Sequence, residues 1–365
     1  MKPAIPWWTP QLAGSERARL EEVLASNYLN DGDVTTRFEV EIARLTGARH
    51  AMAVTSGTTA LFLALAAVGV GPGDEVIVPD VTFIASANAV RLAGGVPILV
   101  DVDPVTLTLD PAITRAAITP RTKAIMPVHL SGRSGHLSEI LALAQHQGLA
   151  VVEDAAEGFR SALDGKFLGT FGQAGCLSFS PNKTISTGQG GMVLTNDDAL
   201  HLRLRELKDH GRHGRGTGGD DVHHAVGFNF KLTNLQAAIG LAQLEALPER
   251  TARMRAIYRL YVENLSAVKE VRFLGFQVDR GELPQWTDVS VERRDELDQF
   301  LQTRGVFCRR FWFPLHTQQP YRQDDARFPH SSHGVPRALW LPSAFTLTDD
   351  QVLTVCREIR SFFRA

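Results

Sequence analysis

The sequence predicts an α/β protein: a large unit on a mainly parallel sheet flanked by helices, then a smaller α+β unit. Three observations carry this. Short apolar runs alternate with helical stretches of about 10–15 residues through the first half of the chain, as βα units do. The alternation stops after about Ala242, where a long charged segment and mixed short elements take over. The length of 365 residues exceeds what one compact core usually holds. These place a large domain over 1–242, with an N-terminal arm over 1–34, and a small domain over 243–365.

Taken in order, the runs expected as strands are Ala51–Val54, Glu75–Pro79, Val96–Asp101, Lys123–Val128, Leu149–Glu153, Gly175–Phe179 and Met192–Thr195. Between them Thr58–Val68, Ile84–Leu92, Leu137–Gln147 and Asp198–Asp209 have helical patterning. Gly211–Asp221, with five glycines, Arg212, His213 and Arg215, has the composition of a mobile loop. Leu244–Leu265 reads as one amphipathic helix kinked at Pro248, and Asp349–Phe363 as a terminal helix. Parallel sheets bind ligands beyond the carboxyl ends of their strands. Polar residues just after the apolar runs are therefore where chemistry is expected.

Composition narrows the function classes. Lys plus Arg number 38 against 40 Asp plus Glu, a formal net charge of −2. Such balance gives no electrostatic case for nucleic acid or an anionic membrane. No run approaches the roughly 20 apolar residues of a membrane span, and the N-terminus has no signal-peptide core. Cys176, Cys308 and Cys356 form no CxxC pair, which suits a reduced, cytoplasmic protein.

Three segments can carry chemistry. Ser56-Gly57-Thr58-Thr59 opens an apolar helix after the first run. Hydroxyls and amides there make an anion site, although a plain N-cap has the same residues. Glu153-Asp154-Ala155-Ala156-Glu157 closes a buried run, where a carboxylate must be paired or hydrogen-bonded. Asp154 can face a cationic ring nitrogen or simply cap a helix. Lys183 stands between Ser178-Phe179-Ser180 and Thr187-Gly188-Gln189-Gly190-Gly191. With its pKa lowered it is a Schiff-base nucleophile, and otherwise a surface lysine. The order matters more than any one signal: an anion cradle, a strand-end Asp, and a Lys 29 positions after it. Pyridoxal phosphate needs these three, for its phosphate, pyridinium nitrogen and aldehyde.

These segments resemble the DegT/DnrJ/EryC1/StrS sugar aminotransferases, within the fold-type-I pyridoxal-phosphate enzymes. Phe38-Glu39, Gly73-Asp74-Glu75-Val76, Thr82-Phe83 and Gly227-Phe228-Asn229-Phe230-Lys231-Leu232-Thr233-Asn234 extend the match, which spans roughly residues 29–245. The resemblance implies a fold-type-I aminotransferase-like large domain and pyridoxal 5'-phosphate as cofactor. It implies Ser56, Gly57, Thr58 and Ser178 at the phosphate, Phe83 on the ring and Asp154 at the ring nitrogen. Glu157 would lie near the ring hydroxyl, and Lys183 would carry the cofactor and move the proton. Asn229 would reach the phosphate from a second subunit, which makes a homodimer with shared sites. Asn30, Lys231 and His316 are candidate substrate contacts.

The chain also departs from the pattern. Gly158-Phe159-Arg160-Ser161 stands where Ala-His-Gly-Ala is frequent, Gln189 where Glu is, and Lys231 where Arg is. Arg160 is a candidate extra contact to a substrate carboxylate or phosphate. Relatives with His for the Schiff-base Lys act as dehydratases, so Lys183 favours transamination. The expected reaction moves an amino group from glutamate to a keto-sugar. Asn182–Gly191 and Glu157 resemble perosamine-type relatives that aminate C4 of nucleotide-linked 4-keto-6-deoxyhexoses. A 3-keto or acidic sugar, dehydration, and a non-catalytic regulatory protein on the same scaffold are the alternatives. No metal is expected, because His210, His213, His223 and His224 lack fixed helical spacing. Trp7, Trp8, Phe311, Trp312 and Phe313 read as core or domain-interface aromatics.

Overall fold

Patterning of the first half yields a seven-stranded sheet in the computed structural model, which describes residues 4–212 and 222–364. In chain order the strands are β1 (His50–Val54), β2 (Glu75–Pro79), β3 (Val96–Val100), β4 (Thr122–Ile125), β5 (Ala150–Asp154), β6 (Ala162–Leu163), β7 (Lys166–Phe167), β8 (Ala174–Ser178) and β9 (Gly191–Thr195). The sheet runs β1-β9-β8-β5-β4-β2-β3, and β6–β7 is a separate two-stranded pair. Strands β3, β2, β4, β5 and β8 are parallel, whereas β9 is antiparallel to both β8 and β1. The reversal lays Gly191 beside both Val54 and Ser178, so the ends of β1 and β8 meet.

The helices of this part are α1 (Glu16–Ser26), α2 (Asp33–Thr46), α3 (Gly57–Ala67), α4 (Ala85–Leu92), α5 (Pro111–Ala116), α6 (Leu137–Gln147), α7 (Asp198–Lys208) and α8 (Asn234–Glu245). Helix α3 is apolar on nearly every side because it is wedged between the sheet and helices α4 and α7. Its buried leucines tie the start of the site to the main core.

The expected single helix over Leu244–Leu265 is not what forms. Helix α8 ends at Glu245 and α9 (Leu247–Leu265) begins after Ala246. Pro248 lies in the first turn of α9, where its missing N–H breaks no intrahelical bond. The proline therefore starts a helix instead of kinking one. Upstream, Thr233 and Gln236 cap α8 reciprocally.

A second, antiparallel sheet of order β10-β11-β13-β12 follows, from β10 (Val271–Phe273), β11 (Asp288–Val291), β12 (Arg309–Arg310) and β13 (Ala338–Trp340). Helices α9, α10 (Arg294–Thr303) and α12 (Asp349–Arg364) share its apolar cluster, while α11 (Pro329–Gly334) lies outside it. Val352, Val355, Cys356 and Ile359 recur at the spacing that turns one face of α12 inward. The chain start joins this unit: Ile5 N donates to Gly305 O at 2.8 Å, and Trp7 packs against Trp286 and Trp340. Residues 213–221 of the expected mobile loop lie outside the described residues. Among the described residues, no helix is long and apolar enough to cross a membrane.

Candidate active site

A cavity of about 450 Å³ opens at the carboxyl ends of β1, β5 and β8. The start of α3 forms one wall. Ser56 Oγ accepts from the Thr59 amide at 3.1 Å, which caps the helix. The amides of Gly57 and Thr58 precede the first intrahelical bond and so have no partner within α3. Glycine is required at 57, since a Cβ there would stand 2.9 Å from the Ser178 Cβ. At Gly191 a Cβ would stand 2.3 Å from the Ser56 carbonyl oxygen. Two glycines thus let three backbone segments converge on one concave, amide-rich surface.

The opposite wall carries the charges. Asp154 ends β5, is 6% exposed, and accepts from Ser86 Oγ at 2.7 Å and from the Ala156 amide at 3.2 Å. Lys183, in the connection from β8 to β9, donates from Nζ to Glu157 Oε1 at 3.2 Å. The same ammonium lies 5.0 Å from the centre of the Trp286 ring. Glu157 Oε2 accepts from the Ser131 amide at 2.8 Å. Burial pushes the Glu157 carboxyl up, and Lys183 and the Ser131 amide offset part of that rise. All three titratable groups expected from the strand ends therefore gather here.

Aromatic residues close the site. Phe83 lines the cavity with half its surface exposed, so a ring face is available for stacking. Trp312 lines it too, its ring centre 5.9 Å from that of Phe83. Trp312 also packs on the core cluster and against Trp340, as an interface aromatic does, whereas Phe313 is 76% exposed rather than buried. Arg309 and Trp312 come from around β12 of the second sheet, and sequence reading assigned neither to the site. The cluster Phe311-Trp312-Phe313 was the one available signal, and nothing in it tells which ring faces the cavity.

Other candidates lie elsewhere in the single chain. Asn229 is exposed and pairs in an antiparallel bridge with Asp209. Lys231 forms an ion pair with the same Asp209. Asn30 is exposed, and its carbonyl accepts from the Asn234 amide. His316 is fully buried, with Nδ1 2.6 Å from Asp80 Oδ2 and its ring stacked on Phe328. None of these four lines the cavity. Arg160, expected as an extra substrate contact, does not line it either. Its guanidinium donates to the Leu45 carbonyl and lies 4.2 Å over the Phe167 ring.

The donor set fits pyridoxal phosphate. Amides and hydroxyls at the α3 start suit a phosphate, the seated Asp154 carboxylate suits a protonated ring nitrogen, and Lys183 supplies an amine in the same cavity. Comparison with known proteins points the same way. The family model described as DegT/DnrJ/EryC1/StrS aminotransferase matches residues 10–360. The chain is 41% identical over 330 residues to a GDP-perosamine synthase of Caulobacter vibrioides, covering 87% of each. It is 37% identical over 365 residues to a GDP-perosamine synthase of Escherichia coli O157:H7, covering 98% of each. Among solved structures, DesV of S. venezuelae, crystallised in complex with a ketimine intermediate, superposes with a TM-score of 0.94 at 32% identity over the whole of both chains.

Proposed function

The chain belongs to the DegT/DnrJ/EryC1/StrS aminotransferase family as a pyridoxal-phosphate-dependent sugar aminotransferase, and on that premise we propose that it aminates a nucleotide-linked 4-keto-6-deoxyhexose with glutamate as donor. One observation carries the assignment of the site: Lys183, Asp154 and the first-turn residues of α3 open into one cavity. The GDP-perosamine synthase relatives support the 4-keto sugar and a guanosine carrier. Three free cysteines support a reducing, cytoplasmic setting.

When bound, pyridoxal phosphate supplies the electron sink that turns amine transfer into proton chemistry. The roles of the chain's own groups follow from their placement. The Gly57 and Thr58 amides, with the Ser56 and Ser178 hydroxyls, hold the phosphate, helped by the positive end of α3. Phe83 offers a ring face. Asp154, oriented by Ser86, keeps the ring nitrogen protonated, because an opposite charge favours the charged form. Lys183 Nζ would hold the cofactor and move the proton, with Glu157 steadying the amine. Asn229 serves the phosphate of a partner subunit, with Lys231 and Asn30 near the sugar or its carrier.

Two measurements test this. Borohydride reduction of the yellow holoenzyme, then peptide mapping, is expected to find the cofactor on Lys183. Attachment at Lys166 or any other lysine refutes the site. kcat/KM for matched 3-keto and 4-keto nucleotide sugars is expected to favour the 4-keto compound, since turning the sugar by one carbon misplaces the ketone and about 1 Å of error costs roughly a hundredfold. Preference for the 3-keto sugar refutes the substrate while leaving the cofactor chemistry standing.

A further inference from the structure

A second cavity, of about 740 Å³, opens between α2 and the elbow joining α8 to α9, and it shares no lining residue with the cofactor cavity. Arg19, Arg37, Arg44, Arg160 and Arg255 line it against two carboxylates, Glu41 and Glu245, a net formal charge of +3. The carboxylates are engaged: Arg44 Nε donates to Glu41 at 3.0 Å and Arg19 Nε to Glu245 at 3.0 Å. Arg37 and Arg255 form no salt bridge among the described residues. Arg160 is half-buried, and its pKa is lowered by that burial and then by Arg255 and Arg44. Five guanidinium groups thus converge on a concave surface that holds only two carboxylates.

The backbone adds a second, independent observation. Arg160 stands at φ 70°, a left-handed conformation that costs a residue with a Cβ roughly 1–3 kcal/mol. A glycine would hold the same conformation without strain. Strain at a non-glycine residue, in a cavity of guanidinium groups, points to a bound anion. Guanidinium forks match phosphate oxygens in pairs. The start of α9 adds its positive end, since Ala246 offers no side-chain cap. The floor is of a different kind. Leu45, Leu244 and Leu247 form an apolar base, and the volume is that of a small-molecule site.

We propose that this cleft is a second ligand site that takes a nucleoside diphosphate, its phosphates on Arg37, Arg160 and Arg255 and its nucleoside on the leucine floor. The charge selects a polyanion, and the apolar floor selects one with a flat organic group. The site lies apart from the reacting groups, so its occupant is an effector, not the substrate in turnover. The inference does not depend on which keto-sugar the active site takes.

The test compares holoenzyme of the natural sequence with Arg160→Gly/Arg255→Ser, where glycine accepts the φ of position 160. Isothermal titration with GDP at fixed salt is expected to find one more site per chain in the natural enzyme, or at least tenfold tighter binding. kcat/KM is expected to be the same in both. Inorganic pyrophosphate is expected to bind the natural enzyme more weakly than GDP, because it leaves the floor uncovered. Should the double variant fail to fold, Arg37→Ser, exposed and without a salt-bridge partner, is expected to lose at least threefold in GDP affinity. Identical isotherms with normal turnover overturn the proposal. So does pyrophosphate binding as tightly as GDP, or a variant that changes assembly state, which makes the cleft a subunit contact. Failure of the keto-sugar assignment would show instead in turnover, with the difference in GDP binding between natural enzyme and variant unaltered.

Discussion

Glu157 is the residue through which distant parts of the chain reach the Lys183 amine. Its second oxygen is held by Ser131, a residue at φ 54°, whose hydroxyl accepts from Trp340 Nε1 at 3.0 Å. Trp340 belongs to the second sheet, so that sheet helps set where Lys183 points. Ser131→Ala keeps the amide and removes the acceptor. Its kcat is expected to fall roughly fivefold, the worth of about 1 kcal/mol, with KM little changed. Trp340→Phe removes the same bond, and the double variant is expected to be no slower than Ser131→Ala, since the Ser131 hydroxyl also bonds Asp288. Additive losses would show that the contact is only structural. Asp154 is a catalytic residue of the proposed site, and Asp154→Asn is expected to slow both half-reactions by about 10²–10³-fold without unfolding. Near-normal rates would remove its role.

Asp288, beside the same network, is fully buried against Arg133, and burial pushes its carboxyl up to about 6. A folded pKa above the unfolded one means that the native state binds the extra proton. Stability from this group is therefore full below about pH 4 and lost as pH rises to about 6. Denaturant titrations of the natural protein and Asp288→Asn are expected to converge or cross over that window, the natural protein losing up to about 3 kcal/mol relative to the variant. A pH-independent difference would mean that Arg133 keeps Asp288 ionised throughout. At this scale the sequence was most readable where chemistry sits at a strand end, as with Asp154, Glu157 and Lys183. Trp312 and Arg309 at the cavity, and Trp286 beside the Lys183 ammonium, were not readable, because only tertiary packing brings them there.

Among elements, the parallel strands were legible because buried strands read as apolar runs bounded by breakers, and Glu75–Pro79 matches to the residue. The antiparallel direction of β9 was not legible. Its apolar pattern is that of its neighbours, and direction follows from the connection through Lys183, a return loop and not a crossover helix. The α8–α9 elbow was missed because continuous helical patterning hides a one-residue break. Gly191 tests the reversal. Backbone of Ser56 and Gly57 surrounds the position a Cβ would take, and backbone cannot rotate aside as a side chain does. Gly191→Ala is expected to cost about 1–3 kcal/mol of stability and to release cofactor more readily, since the same contact holds the start of α3. The assay is thermal unfolding with and without added pyridoxal phosphate. Unchanged cofactor retention would show that β9 does not shape the cradle.

At the scale of the molecule, the two larger sheets of the described chain mark two units, and we place the boundary at Ala246, close to the change in patterning at Ala242. The chain start was expected with the large unit, yet Ile5 and Trp7 pack on the small one, a long-range pairing that local patterning does not encode. Assembly is the remaining question at this scale. In the single chain Asn229 is exposed, and its backbone is tied to Asp209 instead of facing its own cavity. We propose that it reaches the phosphate of another subunit. An isologous dimer then makes each site from both chains. Mixing Lys183→Ala chains with Asn229→Asp chains distinguishes this from a self-contained subunit. If Asn229 crosses, a heterodimer has one site with both residues intact and one with neither. Random pairing makes half the dimers mixed, so activity is expected to recover to about a quarter of normal from two nearly dead parents. If Asn229 serves its own chain, every site in every dimer has one lesion, and mixing restores nothing.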